Sequence, residues 1–184
     1  MAAIFKTVLD EIGVPLSCMD LGQMEALCVA IAKAKSVVVY GCGREALQIR
    51  GFAMRMYHLG LMTGVVGDMN CPPVEVGDLF LAVCGPGELA TVLALLGQAS
   101  KAGGKTAVIT AESNGSAARQ ADMVLTIPAQ TMASDQGLGP KSVLPMGSVF
   151  EGALFVLFEV MVARLAELLA VKPEAMRARH TNME

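Results

Sequence analysis

The sequence predicts an α/β protein, a three-layer αβα sandwich with a five-stranded parallel sheet, N-terminal helices and a long C-terminal helix. Along the 184 residues, short apolar runs rich in β-branched residues alternate with longer segments of helical spacing. Two of the apolar runs end in glycine turns that lead directly into helical segments. A connection from one strand through a helix to the next parallel strand is almost always right-handed.

The first part of the chain contains three predicted helices and one strand. Residues 2–13 and 20–34 have helical spacing, and the stretch GVPLS between them predicts a loop. The run SVVVY (36–40) is the first strand, because consecutive β-branched residues suit a strand that is covered on both faces. A helix is predicted from about 44 to 59, and it ends at Gly60.

The middle of the chain supplies three further strands. TGVVG (63–67) predicts a short strand, and CPPVEVGD (71–78) predicts a loop because prolines do not fit a central strand. LFLAVCG (79–85) is the third strand, followed by a helix over about 88–102. TAVIT (106–110) is the fourth strand.

The last part completes the sheet and adds the long helix. A short helix at 116–121 precedes the fifth strand, MVLTIP (123–128). Residues 129–146, rich in Gly, Pro, Ser and Thr, predict a long loop. The long helix covers 149–171, and a final short helix starts at Pro173, where proline suits the first turn. We predict one domain over residues 1–184, with a helical extension at 1–34 and a C-terminal tail at 172–184.

Composition and charge exclude several kinds of partner. The net charge of −3 predicts no nucleic-acid surface. Five cysteines without C-x-x-C spacing indicate reduced thiols in the cytoplasm and neither a disulfide framework nor a metal site. Charged residues near the start argue against a signal peptide. The 54% of hydrophobic residues in so short a chain indicates faces buried between subunits.

The apolar segment 149–171 predicts a buried helix and not a membrane span. Four charged residues interrupt it, so no run approaches the ~18 apolar residues that a span needs. These residues are Glu151, Glu159, Arg164 and Glu167. We expect this helix to be buried on most sides, and we expect no membrane partner.

The first glycine turn fits two kinds of ligand. GCGREA satisfies the G-x-G-x-x-G/A pattern, and Asp68 follows the next strand where a ribose-binding acid would lie, so a dinucleotide site is one alternative. However, the chain is short for a dinucleotide fold with a substrate domain, and FLAVCGPGELATV repeats the pattern VVVYGCGREALQI. Two helix N-termini at one sheet edge suit a single phosphorylated small molecule better. The glycines can also be plain turn residues.

The chain resembles the sugar isomerase (SIS) domain family, and within it the 6-phospho-3-hexuloisomerases. The resemblance rests on VYGCGRE, FAMRMYHLG, VEVGDLFLAVCGPGE, AVIT, ADMVLTIP, PMGSVFE and MRARHTNME, and it runs from about residue 35 to the C-terminus. It implies a tetramer or dimer that interconverts 3-hexulose 6-phosphate and fructose 6-phosphate through an enediolate, without a metal or organic cofactor.

The resemblance also implies roles for particular residues. Glu151 matches the candidate base, and His180 matches an acid/base or ring-opening residue that a neighbouring subunit can deliver. Arg44 would face the phosphate or a substrate hydroxyl, whereas Arg55 and His58 would support the structure or an interface. The remaining candidates for substrate and phosphate binding are Gly43, Gly85, Gly87, Glu88, Thr91 and Thr110.

The sequence departs from the family at the phosphate-binding turns. Family members usually have Gly-x-Gly-Arg-Ser and Ser-Gly-Ser-Gly-Glu-Thr, whereas this chain has Glu45, Cys84, Pro86 and Leu89 at the hydroxyl positions. Pro86 also removes a backbone N–H, and Glu45 would place negative charge at the phosphate site unless it turns outward. The alternatives are therefore an isomerase, a binding protein with altered specificity or no catalysis, and, less favoured, a nucleotide-dependent oxidoreductase.

Overall fold

A computed structural model describes residues 1–136 and 142–183 and contains one five-stranded parallel sheet. The strands run in the spatial order β2-β1-β3-β4-β5, and every neighbouring pair is parallel. The strands are β1 (Val37–Tyr40), β2 (Thr63–Val65), β3 (Leu79–Val83), β4 (Lys105–Thr110) and β5 (Met123–Thr126). The predicted α/β architecture is confirmed.

Helices cover both faces of the sheet, so the three-layer prediction is also confirmed. The helices are α1 (Ala2–Ser17), α2 (Leu21–Lys33), α3 (Gly43–His58), α4 (Ala90–Lys101), α5 (Ser116–Gln120), α6 (Ser148–Leu168) and α7 (Pro173–Ala178). Side chains of α2, α3 and α6 build the core on one face, with α1 and α7 packed against it, and α4 and α5 cover the other.

Alternation along β3 explains how one strand serves both cores. Leu79, Leu81 and Val83 belong to the core on the α3 and α6 side, whereas Phe80 and Ala82 belong to the core under α4. All five are buried, because successive side chains of a strand point to opposite faces and both faces carry helices.

Three sequence predictions about the helices are wrong. The stretch GVPLS is not a loop, because α1 continues through Pro15 to Ser17; Pro15 is buried, and its ring removes the one hydrogen bond that an N–H at this position would donate. Helix α4 begins at Ala90 and not at 88, because Leu89 keeps an extended backbone after the glycine turn. Helix α6 is less buried than predicted: Phe155 and Val160 are exposed.

The strand order places the two glycine turns side by side. Strand β1 lies between β2 and β3, and Tyr40 at its end pairs with Ala82 of β3. The chain leaves these two neighbouring strands toward opposite faces, since α3 packs on one core and α4 on the other. Such a switch in strand order opens a crevice at the carboxyl ends of the strands, where α/β proteins bind ligands.

Across the residues that the structure describes, neither a membrane-spanning helix nor a metal cluster is found. No single helix there is long and apolar enough to cross a bilayer, although the bent pair α1 and α2 meets the length and composition criteria together. The same residues contain no group of three or more His, Cys, Asp or Glu side chains able to hold a metal ion.

Candidate active site

The first glycine turn, residues 41–43, positions the start of α3. Gly43 has a φ of 54°, a left-handed conformation that glycine adopts without strain. A Cβ on Gly41 would lie 3.0 Å from the backbone nitrogen of Ala46, so only glycine lets the helix pack this closely on the turn. The first intrahelical bond runs from the Ala46 N–H to the Cys42 carbonyl, which leaves the preceding amides of the first turn for other partners.

Glu45 turns inward, so it does not adopt the outward orientation that would keep its charge away from the phosphate site. Glu45 is only 8% exposed, and its Oε1 accepts a hydrogen bond of 3.1 Å from the Gly85 N–H. Burial raises the pKa of this carboxyl to about 7, an effect that the Gly85 N–H and Arg44 oppose and that Glu151 reinforces. The side chain therefore links the first glycine turn to the second.

Most polar groups of the second glycine turn, residues 85–87, bind within the protein. The Gly85 carbonyl accepts hydrogen bonds from the Ala111 N–H and from the Thr110 hydroxyl. The Gly87 N–H donates to the Cys84 carbonyl at 3.0 Å. Burial raises the pKa of the Cys84 thiol to about 12, so this group is a neutral side chain and not a nucleophile at neutral pH.

The other predicted phosphate-binding residues of this region differ in how accessible they are. Thr110 is fully buried, and its hydroxyl accepts the Glu112 N–H at 3.0 Å, which gives it a structural role in the turn. Glu88 and Thr91 are exposed. The Glu88 carboxylate accepts a hydrogen bond from the Ser116 hydroxyl, and the Thr91 hydroxyl lies 3.4 Å from the Cys42 sulfur.

Glu151 lies at the start of α6, where Arg44 of α3 reaches it. Arg44 Nη2 is 3.1 Å from Glu151 Oε1, and the same guanidinium donates to the Ser148 hydroxyl and the Met146 carbonyl. The Glu151 side chain is 14% exposed, and its Oε2 is buried with no hydrogen-bond partner among the described residues. Burial raises its pKa, while the helix backbone and Arg44 act in the opposite direction.

The segment before α6 has a tightly constrained backbone. Met146 and Gly147 both have positive φ values, 56° and 70°, and a Cβ on Gly147 would lie 2.2 Å from the backbone nitrogen of Met132. This geometry aims the Met146 carbonyl at Arg44. Sequence reasoning missed both Met146 and Ser148 as partners of Arg44, although the motif PMGSVFE contains them.

The structure does not bring His180 to Glu151 within one chain. The His180 ring lies against His58 at the C-terminal end of α3, with ring centroids 5.4 Å apart, and Arg179 donates to the His58 carbonyl. Glu151 belongs to α6, and it contacts Arg44 at the opposite, N-terminal end of α3. At about 1.5 Å per residue, the two ends of α3 are roughly 20 Å apart. Within one chain these two catalytic candidates therefore lie at opposite ends of α3.

Three further residues that the sequence singled out have structural surroundings that explain them. Asp68, considered as a ribose-binding acid, forms an ion pair of 2.8 Å with Arg50. Arg55 forms an ion pair of 3.3 Å with Glu159, which ties α3 to α6, and His58 is buried at the end of α3. These contacts agree with the supporting role predicted for Arg55 and His58.

Comparison with known proteins identifies what the chain is similar to. The SIS domain family model matches residues 30–157. The 3-hexulose-6-phosphate isomerase of Mycobacterium gastri is 35% identical over 96% of this chain and 88% of its own length, and that of Bacillus subtilis is 29% identical over 96% and 95%. A Methanococcus jannaschii structure, inferred to be a 3-hexulose-6-phosphate isomerase, superposes with a TM-score of 0.84 at 25% identity over 98% of both chains.

Proposed function

The chain belongs to the SIS domain family, and we propose that it is a sugar-phosphate isomerase that interconverts 3-hexulose 6-phosphate and fructose 6-phosphate. The observation that carries the proposal is the geometry of Glu151. A largely buried carboxylate with one oxygen on an arginine and the other without a partner lies at the sheet edge where α/β proteins bind ligands.

The reaction needs a base that moves one proton between neighbouring carbons. In our proposal Glu151 removes the proton from C2 of the 3-ketose, and the C–H electrons form the C2–C3 double bond of an enediolate. A proton then passes from the Glu151 carboxyl to C3 as the C2 carbonyl forms, while the hydroxyl proton of O2 moves to O3, so the carboxylate is regenerated. A raised pKa suits this role, because the protonated carboxyl must hold its proton during the intermediate. Arg44 would stabilise the negative charge of the enediolate or bind the phosphate.

The phosphate would bind near the start of α3, at the outer side of the crevice. The Gly85 N–H and the Thr110 hydroxyl already have internal partners, so we propose that they shape the second turn without contacting the phosphate. The same holds for Gly87, whose N–H donates to the Cys84 carbonyl, so Gly43, Arg44, Glu88 and Thr91 remain the proposed binding set. The first-turn amides of α3 carry the partial positive charge of a helix N-terminus, which favours an anion.

A homo-oligomer would complete the site. Large apolar side chains are exposed on the outer faces of α3 and α6, among them Leu47, Met54 and Phe155. Burial of this surface between subunits would remove it from water. We propose a dimer or tetramer in which a neighbouring subunit delivers its His180 to Glu151. The five cysteines are unpaired, which is consistent with the cytoplasm as the compartment.

A ligand panel and a turnover assay test the proposal together. Thermal unfolding is measured with fructose 6-phosphate, fructose, inorganic phosphate and NAD, and stabilisation by the sugar phosphate alone is expected. Conversion is then followed in an assay coupled to an enzyme that consumes 3-hexulose 6-phosphate. Glu151→Gln should lose roughly 10²–10⁴-fold in kcat, whereas Glu167→Gln, on the same helix but exposed, should not. Equal activity of the wild type and Glu151→Gln would remove Glu151 as the base.

A second candidate is a sugar-phosphate-binding protein without catalysis. It is favoured by one observation: the Glu45 carboxylate binds the Gly85 N–H at the turn where relatives of this family carry hydroxyls. Stabilisation by fructose 6-phosphate without any conversion would support this candidate over the isomerase. Stabilisation by NAD alone would contradict both.

A further inference from the structure

A second buried carboxyl, that of Glu45, lies at the same edge of the sheet as Glu151. Glu45 is 8% exposed, and its Oε1 accepts the Gly85 N–H. Its Oε2 is buried and has no hydrogen-bond partner among the described residues. An unpartnered oxygen of a buried ionised carboxylate is costly, whereas a protonated carboxyl buries far less charge.

The contacts of Gly85 and Arg44 bring the two carboxyls together. A Cβ built on Gly85 would lie 2.5 Å from Glu45 Oε1 and 2.9 Å from the ring of Phe150, so both side chains pack against Gly85. Phe150 is the residue before Glu151. Arg44, the residue before Glu45, reaches Glu151 Oε1. Glu151, like Glu45, keeps a buried Oε2 without a partner in the described part of the chain.

Among the described residues, one cation, Arg44, faces these two carboxyls. Arg44 comes from the same helix as Glu45, Glu151 comes from α6, and the Cys84 thiol comes from the end of β3. The thiol stays neutral, because its pKa is about 12. Two ionised carboxylates beside a single guanidinium would leave a net negative charge in a largely buried site. Like charges in such a setting disfavour the second ionisation.

We propose that Glu45 and Glu151 hold one proton between them in the ligand-free site, and that Glu45 keeps this proton so that Glu151 remains the ionised base. The inference rests on the proposed isomerase function and deepens it by adding a positioning residue. Glu45 is the more buried of the two, and Glu151 has the direct contact with Arg44, so the proton belongs on Glu45. Raised pKa values for both groups agree with this assignment.

The shared proton also affects the anionic ligand. With Glu45 neutral, the charges of Glu151 and Arg44 cancel, and the start of α3 can attract a phosphate. With Glu45 ionised, the site carries one net negative charge and repels it. Sugar-phosphate binding should therefore weaken as Glu45 loses its proton, and Glu45→Gln, which keeps the shape of the neutral acid, should remove this dependence.

Carboxyl NMR tests the pairing without relying on turnover. Protein labelled with ¹³C at the glutamate side-chain carboxyl carbons is titrated from acid to alkaline pH, and Glu45→Gln and Glu151→Gln assign the two signals. In the wild type we expect the Glu45 carbon to titrate near neutrality. In Glu151→Gln its midpoint should fall by about one pH unit or more, the size expected for strongly interacting groups. Glu112→Gln, an exposed control, should leave both signals unchanged.

The outcomes separate the pairing from the isomerase proposal. An unchanged Glu45 midpoint in Glu151→Gln, or an ordinary acidic midpoint in the wild type, overturns the pairing even if the protein isomerises its substrate. A coupled pair in a protein without turnover keeps the pairing and contradicts the proposed function. As a second readout, KM for fructose 6-phosphate should rise several-fold from neutral to alkaline pH in the wild type relative to Glu45→Gln. Parallel KM profiles count against the effect on ligand binding.

Discussion

Replacing Glu45 by Gln should stabilise the protein at alkaline pH and have little effect at acid pH. Burial raises the pKa of Glu45 from an ordinary value of 4.5 to about 7 in the folded protein. The folded state therefore binds the proton more tightly than the unfolded state. This contribution to stability is fully present below the unfolded pKa and is lost as the pH rises through the folded pKa. Glutamine does not ionise, so the variant avoids the loss.

The pKa shift sets the size of the effect. Each pKa unit corresponds to about 1.4 kcal/mol, so the rise from 4.5 to about 7 corresponds to about 3 kcal/mol of unfolding free energy. For a chain of this length, 1 kcal/mol moves Tm by about 2–4 °C, so Glu45→Gln should raise Tm by about 6–12 °C above neutrality. Around pH 4, where both states are largely protonated, the difference should be small.

Thermal melts followed by circular dichroism at acid, neutral and alkaline pH measure this difference. Glu112→Gln removes an exposed carboxylate and serves as the control. A Tm difference between Glu45→Gln and the wild type that is the same at every pH would refute the reasoning. So would a variant that is less stable than the wild type at alkaline pH, since the charged form would then be well accommodated in the fold.

Three further predictions follow from the site and the surface. Gly85→Ala should lower the free energy of unfolding by about 1–3 kcal/mol, because the new Cβ would lie 2.5 Å from Glu45 Oε1. Gly51→Ala is the control, since its Cβ would meet nothing within 4 Å and should not destabilise the protein. Equal effects of the two substitutions in chemical unfolding would contradict the close packing at Gly85. Arg44→Gln should raise the pKa of Glu151 and move the acid limb of the pH–rate profile upward, so an unmoved limb would count against this ion pair. Phe155→Glu should lower the mass measured by light scattering if the α6 face joins subunits, and an unchanged mass would exclude that face.

The parallel sheet could be predicted from the sequence, because a strand that is covered by helices on both faces needs a continuous run of apolar residues. The run at 79–85 contains β3, whose five residues are all buried, and the two glycine turns follow adjacent strands as expected. Residue types that usually end a helix gave a wrong prediction where tertiary packing stabilised the helix. Pro15 predicts a break, yet α1 continues through it, and its side chain is buried.

The candidate site was predictable only in part. The resemblance to the family singled out Arg44 and Glu151, but the sequence gave no means of knowing that they form an ion pair across 107 residues of chain. Glu45 was recognised as an obstacle to phosphate, whereas its inward contact with the Gly85 N–H depends on how α3 lies beside the turn that follows β3. The position of His180 depends on how the tail folds back onto α3, which no local pattern encodes.

Deuterium exchange into fructose 6-phosphate would test most directly whether Glu151 moves a proton between C2 and C3. The sugar phosphate is incubated with the protein in D₂O, and the C3 proton is followed by NMR. We expect the wild type to replace this proton with deuterium and Glu151→Gln to lose the exchange, because the enediolate forms only when the carboxylate removes the C3 proton. Exchange at the same rate in both proteins would contradict the account.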